Sequence, residues 1–96
     1  MKFAYKYFSR EKLLAVCDKE LLGEKLKFEE TEFEVKKSFY FEKIAMEKEI
    51  EKMLDKAKTI NLIGNKIIEI AVKMKLIGND NVMKIEGISH IQIYKI

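Results

Sequence analysis

The chain has no proline, one cysteine, one histidine and four glycines among 96 residues. The single cysteine, Cys17, excludes an internal disulfide and a cysteine-rich zinc site. The single histidine, His90, has no second histidine or cysteine at ligand spacing, so no structural zinc is expected. The glycines are too scattered for a phosphate loop: neither Gly23 nor Gly64 sits in a glycine-rich strand–turn–helix pattern. No apolar run reaches the length that spans a bilayer. The stretch Met1 to Tyr7 alternates charge with aromatics where a signal peptide would carry a continuous apolar core. Low-complexity tracts, internal repeats and linkers are missing too. These absences predict one domain over residues 1–96, in a reducing, cytoplasmic setting, with no metal and no cofactor. The length suffices to bury a modest core without such help.

What is present is charge and periodicity. Charged residues make up 36% of the chain, but acids and bases are interleaved and the net charge is only +3. A concentrated basic face, the usual sign of phosphate-backbone recognition, is not evident. Lys2 to Phe8 alternates, with Phe3, Tyr5 and Tyr7 on one face, and reads as a strand. After a short break at Ser9-Arg10, Glu11 to Cys17 is nearly all apolar and reads as a central strand covered on both sides. Asp18 is expected to cap one helical turn that Gly23 ends. Two further alternating segments follow, Glu24 to Glu30 and Thr31 to Lys37. Leu26, Phe28, Phe33 and Val35 point inward in this reading. Ser38 to Phe41 is an aromatic run with no clear period.

From about Ile44 to Lys58 the period becomes helical, with Ile50, Met53, Leu54 and Ala57 on one stripe. Thr59 to Gly78 is the longest apolar-periodic stretch and reads as a second, more deeply buried helix. Asn61 is its expected cap, with Asn65 as the alternative start. Gly78 with Asn79, Asp80 and Asn81 is its expected stop. Val82 to Ile85, a turn at Glu86-Gly87, and Ile88 to Ile96 read as a closing hairpin. Its last strand places Ile91 and Ile93 on one face and His90, Gln92 and Tyr94 on the other. The order predicts an α+β domain: a mainly antiparallel sheet with two consecutive helices packed on it.

No residue set specifies a reaction. Cys17, Asn61 and His90 have the types of a nucleophilic site, but Cys17 ends an apolar strand and reads as a buried, inert thiol. Asp18, Glu20 and His90 are a weak candidate metal set, and carboxylate-rich magnesium sites are a further alternative. A helix beginning near Asn61 offers its amino end to an anion. The polar residues that amphipathic patterning explains least are Asp18, Asn61, His90 and Gln92, and these are the candidate ligand-binding residues. Lys6, Arg10, Lys12 and Tyr94 are candidates for nucleic-acid contact. If the first and last strands were neighbours, Phe3, Tyr5 and Tyr7, with Lys2, Lys6, Arg10 and Lys12 nearby, would join His90, Gln92 and Tyr94 in a patch able to stack splayed bases and meet phosphates. Aromatics at strand spacing more often mean burial.

Four pieces carry a resemblance together: Ala15 to Gly23 (AVCDKELLG), Ser38-Phe39-Tyr40, Ala57 to Gly64 (AKTINLIG) and Gly87 to Ile93 (GISHIQI). In order and spacing they resemble the small archaeal family called domain of unknown function 424, over essentially the whole chain. The family more often has proline and alanine flanking the histidine, where this chain has Ser89 and Ile91, and glycine after the Phe-Tyr pair, where it has Phe41. The resemblance implies an archaeal cytoplasmic protein of small α+β fold without an established enzymatic activity. The resulting expectation is a non-enzymatic protein that binds RNA or a ribonucleoprotein, such as ribosomal particles of the translation apparatus. The alternative is a protein-interaction module or homodimer. A small enzyme ranks last.

Overall fold

The computed structural model describes residues 1–78 and 81–95. Strands β1 (Lys2–Phe8) and β2 (Leu13–Asp18) form the expected hairpin, paired from Phe3 with Asp18 to Phe8 with Leu13. A 3-10 turn at Lys19–Leu21 leads into a small hairpin of β3 (Lys25–Phe28) and β4 (Thr31–Glu34). One helical turn, α1 (Lys37–Tyr40), precedes strand β5 (Lys43–Met46) and helix α2 (Glu47–Lys56). Strand β6 (Thr59–Ile63), helix α3 (Asn65–Lys73) and strands β7 (Met83–Ile85) and β8 (Ile88–Tyr94) complete the chain.

Six strands make one sheet in the order β5-β1-β2-β6-β8-β7. Among the described residues, β2 and β6 run parallel and the other paired strands run antiparallel. The fold is therefore α+β, as the pattern predicts. β2 is central, and Leu14 to Asp18 are all buried, which is why its sequence is apolar on both faces. Helices α2 and α3 cover one face, closing a core that includes Phe3, Val16, Leu54, Leu62 and Ile67. The β3–β4 hairpin and α1 cover part of the other face, over Ala4, Ala15, Cys17 and Ile63.

Two expected helices are shorter than the sequence suggests, and they are not consecutive. Ile44 to Met46 belongs to edge strand β5, which pairs with β1. Thr59 to Ile63 is not the start of a helix but the parallel partner of β2. An apolar run of this length does not distinguish a buried strand from a buried helix by periodicity. The β-branched Thr59, Ile60 and Ile63 favour the strand. Gly64 separates the two states with φ +128 and ψ 140, a conformation side-chain-bearing residues avoid.

Helix α3 also ends before Gly78. Lys75 takes φ +62, the Leu76 amide donates to the Ala71 carbonyl at 3.0 Å, and the Lys75 amide donates to that of Val72 at 2.9 Å. This is the paired bonding of a Schellman stop, with lysine where glycine is usual. Asn79 and Asp80 of the expected stop, and Ile96 of the expected last strand, lie outside the described residues. The closing hairpin has Ile85 opposite Ile88, and Glu86 and Gly87 both have positive φ, as a two-residue turn of this type requires. Among the described residues, no helix is long and apolar enough to cross a membrane.

Candidate functional site

The sheet face opposite α2 and α3 carries the polar residues. Register places Ala4, Cys17, Ile63 and His90 in one row across β1, β2, β6 and β8. Lys6, Ala15, Asn61 and Gln92 form the next row, and Phe8, Leu13, Thr59 and Tyr94 the one after. Ala15 is small, and the nearby Tyr40 of α1 is buried beside it in the same cluster. From there the Tyr40 hydroxyl donates to Asn61 Oδ1 at 2.5 Å. Asn61 Nδ2 donates to Gln92 Oε1 at 2.6 Å, and Gln92 Nε2 donates to the Tyr94 hydroxyl at 3.3 Å. A ladder of four polar side chains thus runs from the covered part of the face to its open part. Gln92 and Tyr94 are exposed, Tyr94 at 71%.

Beside the ladder lies a cleft of about 460 Å³, between β4, α1 and the sheet, lined by Phe33, Phe39, Tyr40, Asn61 and His90 with Glu32, Glu34 and Lys36. Its size falls within the range of small-molecule sites. The His90 ring meets Phe33 at 5.6 Å between centroids, and Phe39 stands edge-on to Tyr40 at 4.8 Å. His90 Nε2 is buried and has no hydrogen-bond partner among the described residues. Burial lowers the His90 pKa, so the ring is neutral at pH 7. Burial raises the Tyr40 pKa, so its hydroxyl stays protonated and acts as the donor to Asn61.

Asp18 lies elsewhere. It follows Val16 on the helix-covered face and is 4% exposed. Its Oδ1 accepts from the Ile67 amide at 2.9 Å and its Oδ2 from the Lys66 amide at 3.0 Å. It therefore fills the amino end of α3, the position at which a free anion was expected to bind. Gly64 makes room for it: a Cβ there would lie 2.4 Å from Asp18 Cγ and 2.6 Å from each carboxylate oxygen. Burial raises the Asp18 pKa, while the two amides pull it down. The expected local cap onto the 3-10 turn is absent; that turn has no side-chain cap. The cap onto α3 from Asn61 is absent as well, because Asn61 is on β6. Asn65, the alternative start, opens α3 but binds β8 and its turn, accepting from the Ser89 amide at 2.8 Å and donating to the Gly87 carbonyl at 3.1 Å.

The Cys17, Asn61 and His90 set does not assemble. Ile63 sits between Cys17 and His90 in their row, which separates them by two strand spacings, about 10 Å. Cys17 is fully buried, and burial, with Asp18 and Glu20 nearby, pushes its thiol up to about 12. Asp18 and His90 point to opposite faces, so they do not share a metal; Glu20 is instead paired with Lys66 at 2.8 Å. The imagined patch of Tyr5, Tyr7, His90 and Gln92 does not form either. β2 and β6 stand between β1 and β8, and Phe3 and Tyr5 pack with the helix-side core.

Of the candidate nucleic-acid residues, Tyr94, Arg10 and Lys12 lie toward one end of the sheet, and Lys6 lies one row further in. Lys6 is in the Asn61 row, its Nζ donating to the Ser38 carbonyl at 3.0 Å and lying 5.0 Å from the Phe8 ring centroid. Arg10 and Lys12 are in the exposed loop between β1 and β2. The Thr59 amide donates to the Lys12 carbonyl at 3.4 Å, which ties that loop to the Thr59 and Tyr94 row. Sequence reasoning missed the cleft walls Phe33, Phe39 and Tyr40. The unperiodic run at Ser38 to Phe41 was the available signal.

No curated protein matches the chain. The crystal structure of an uncharacterized conserved protein from Methanopyrus kandleri is similar, with a TM-score of 0.79 and 26% identity over 98% of this chain and 91% of that one. The family model described as protein of unknown function (DUF424) matches residues 5–96, which takes in the whole ladder and every cleft residue, and the chain belongs to that family.

Proposed function

We propose that this protein is a non-enzymatic binding protein for single-stranded RNA, free or within a ribonucleoprotein such as a ribosomal particle. The observation that carries the reading is the ladder from Tyr40 through Asn61 and Gln92 to Tyr94, exposed at its outer end. An open sheet face bearing an exposed ring and side-chain amides suits unstacked bases, which offer a π-face and a hydrogen-bonding edge. Arg10 and Lys12, exposed in the loop between β1 and β2, would meet backbone phosphates in this reading. Cys17 is buried and protonated and lies two strands from His90, which argues against the Cys17, Asn61 and His90 set.

The test is a fluorescence-anisotropy titration with a short unstructured RNA at about 50 and about 200 mM salt, conditions over which phosphate-dependent binding weakens steeply. Binding that falls with salt, and that is reduced by Tyr94→Ala and by Arg10→Ala with Lys12→Ala, is the expected result. Absence of binding at the lower salt would refute it.

A second reading rests on a different observation. Edge strand β5 leaves Ile44 and Met46 exposed at 38% and 53%, beside unpaired backbone of the kind that recruits another strand. Self-association through that edge predicts a dimer that survives high salt in light scattering and is lost on Ile44→Lys.

A further inference from the structure

The cleft is built differently from the open strip beside it. Its walls are rings, Phe33 and Phe39 with Tyr40. Its floor is Asn61 and His90. Asn61 offers two N–H donors and two acceptor lone pairs. Tyr40 occupies one acceptor position and Gln92 takes one donor, so one donor and one acceptor remain on the same amide. His90 Nε2 adds a buried polar atom that nothing in the described protein satisfies. A buried polar atom without a partner calls for a ligand or a water. The rim carries Glu32 and Glu34 against Lys36, so a phosphate inside the cleft would meet two carboxylates.

We propose that the cleft takes a single unstacked nucleobase whose pairing edge sets an amino group beside an unprotonated ring nitrogen, adenine or cytosine, with its sugar and phosphate left outside. The rings supply stacking surfaces. The free donor and acceptor of Asn61 match the adjacent amino group and ring nitrogen of such a base, the pairing an amide side chain makes with adenine. The amino group's second hydrogen would be open to Glu32 or Glu34 of the same lining, carboxylates that would disfavour the carbonyl oxygen guanine and uracil present there. This inference deepens the RNA-binding reading and rests on it for the source of the base, which is either a nucleotide within a strand or a free nucleotide.

The experiment is a titration of the full chain with octamers of A, C, U and mixed G/U sequence, and with AMP, CMP and UMP, at one low salt concentration. Tighter binding of the A and C octamers, by about tenfold or more over U and G/U, is expected. Asn61→Leu should abolish that preference, and Phe33→Ala should weaken all octamers. Equal affinity for every octamer would overturn the base pocket and leave the RNA reading standing. AMP or CMP binding over UMP, with octamers no tighter than the mononucleotides, would keep the pocket and overturn the RNA reading. No binding of any probe would overturn both. The wild-type preference decides the matter even if a variant fails to fold.

Discussion

Gly64→Ala tests the joint that sets α3 against the sheet. At φ +128 an alanine is strained, which costs about 1–3 kcal/mol. Its Cβ would also fall 2.4 Å from Asp18 Cγ, so the carboxylate must leave. Leaving breaks its hydrogen bonds to the Lys66 and Ile67 amides. Hydrogen bonds to charged groups contribute about 1.5–3 kcal/mol each, but burial of the carboxylate opposes them, so a net loss of about 2 kcal/mol is reasonable for the pair. The total, about 3–5 kcal/mol, is a large part of the 5–15 kcal/mol typical of a domain (about that range). Urea unfolding should show the midpoint falling by about 3 M, given a slope of about 1–2 kcal/mol per molar for a chain of this size. Asp18→Ala alone should cost about 1–2 kcal/mol, as lost caps do. In that background Gly64→Ala retains its backbone strain but meets no carboxylate. The double variant should then be at least about 1 kcal/mol more stable than the sum of the singles predicts. Gly64→Ala within about 0.5 kcal/mol of wild type, or strict additivity, would refute the reasoning.

Three further outcomes follow from individual residues. Lys75→Gly places glycine at the left-handed stop of α3, where lysine now has φ +62, and should stabilise the chain by about 0.5–1 kcal/mol in the same unfolding assay. The His90 pKa is lowered by burial, so the folded state binds its proton less readily than the unfolded chain. Its contribution to stability is full above the ordinary value of 6.5 and is lost as pH falls through the folded value. Thermal melts from about pH 8 to about pH 5 should show a decline that is smaller in His90→Gln. Cys17, with its thiol pushed up to about 12 and its side chain fully buried, should react with iodoacetamide at neutral pH about a hundredfold more slowly than in the urea-unfolded chain. Fast labelling of the folded protein would contradict that placement.

The sequence was most readable where period and turn chemistry agreed. β8 alternates strictly, with Ile91 and Ile93 buried and Gln92 and Tyr94 exposed, and Glu86-Gly87 turns as its residues demand. Thr59 to Ile63 was misread because a buried strand feeding directly into a buried helix looks like one apolar run. The only local mark of the join is Gly64, which in sequence is equally a weak helix residue. Asp18 could not be assigned locally at all: its partners, Lys66 and Ile67, are 48 and 49 residues away. Asn61 and Gln92 stood out as polar residues in apolar strands, and register pairs them directly. The cleft was invisible because its walls come from α1 and β4, and its floor from β6 and β8.

The most direct test is a two-dimensional amide NMR titration of the isotopically labelled chain with a short single-stranded RNA. The predicted result is movement of the Asn61 and Gln92 side-chain amides, with the backbone amides of His90, Tyr94 and Arg10. Movement confined to α2, α3 or the β5 edge, or an unchanged spectrum at saturating RNA, would contradict the assignment of the β6–β8 face as the binding surface.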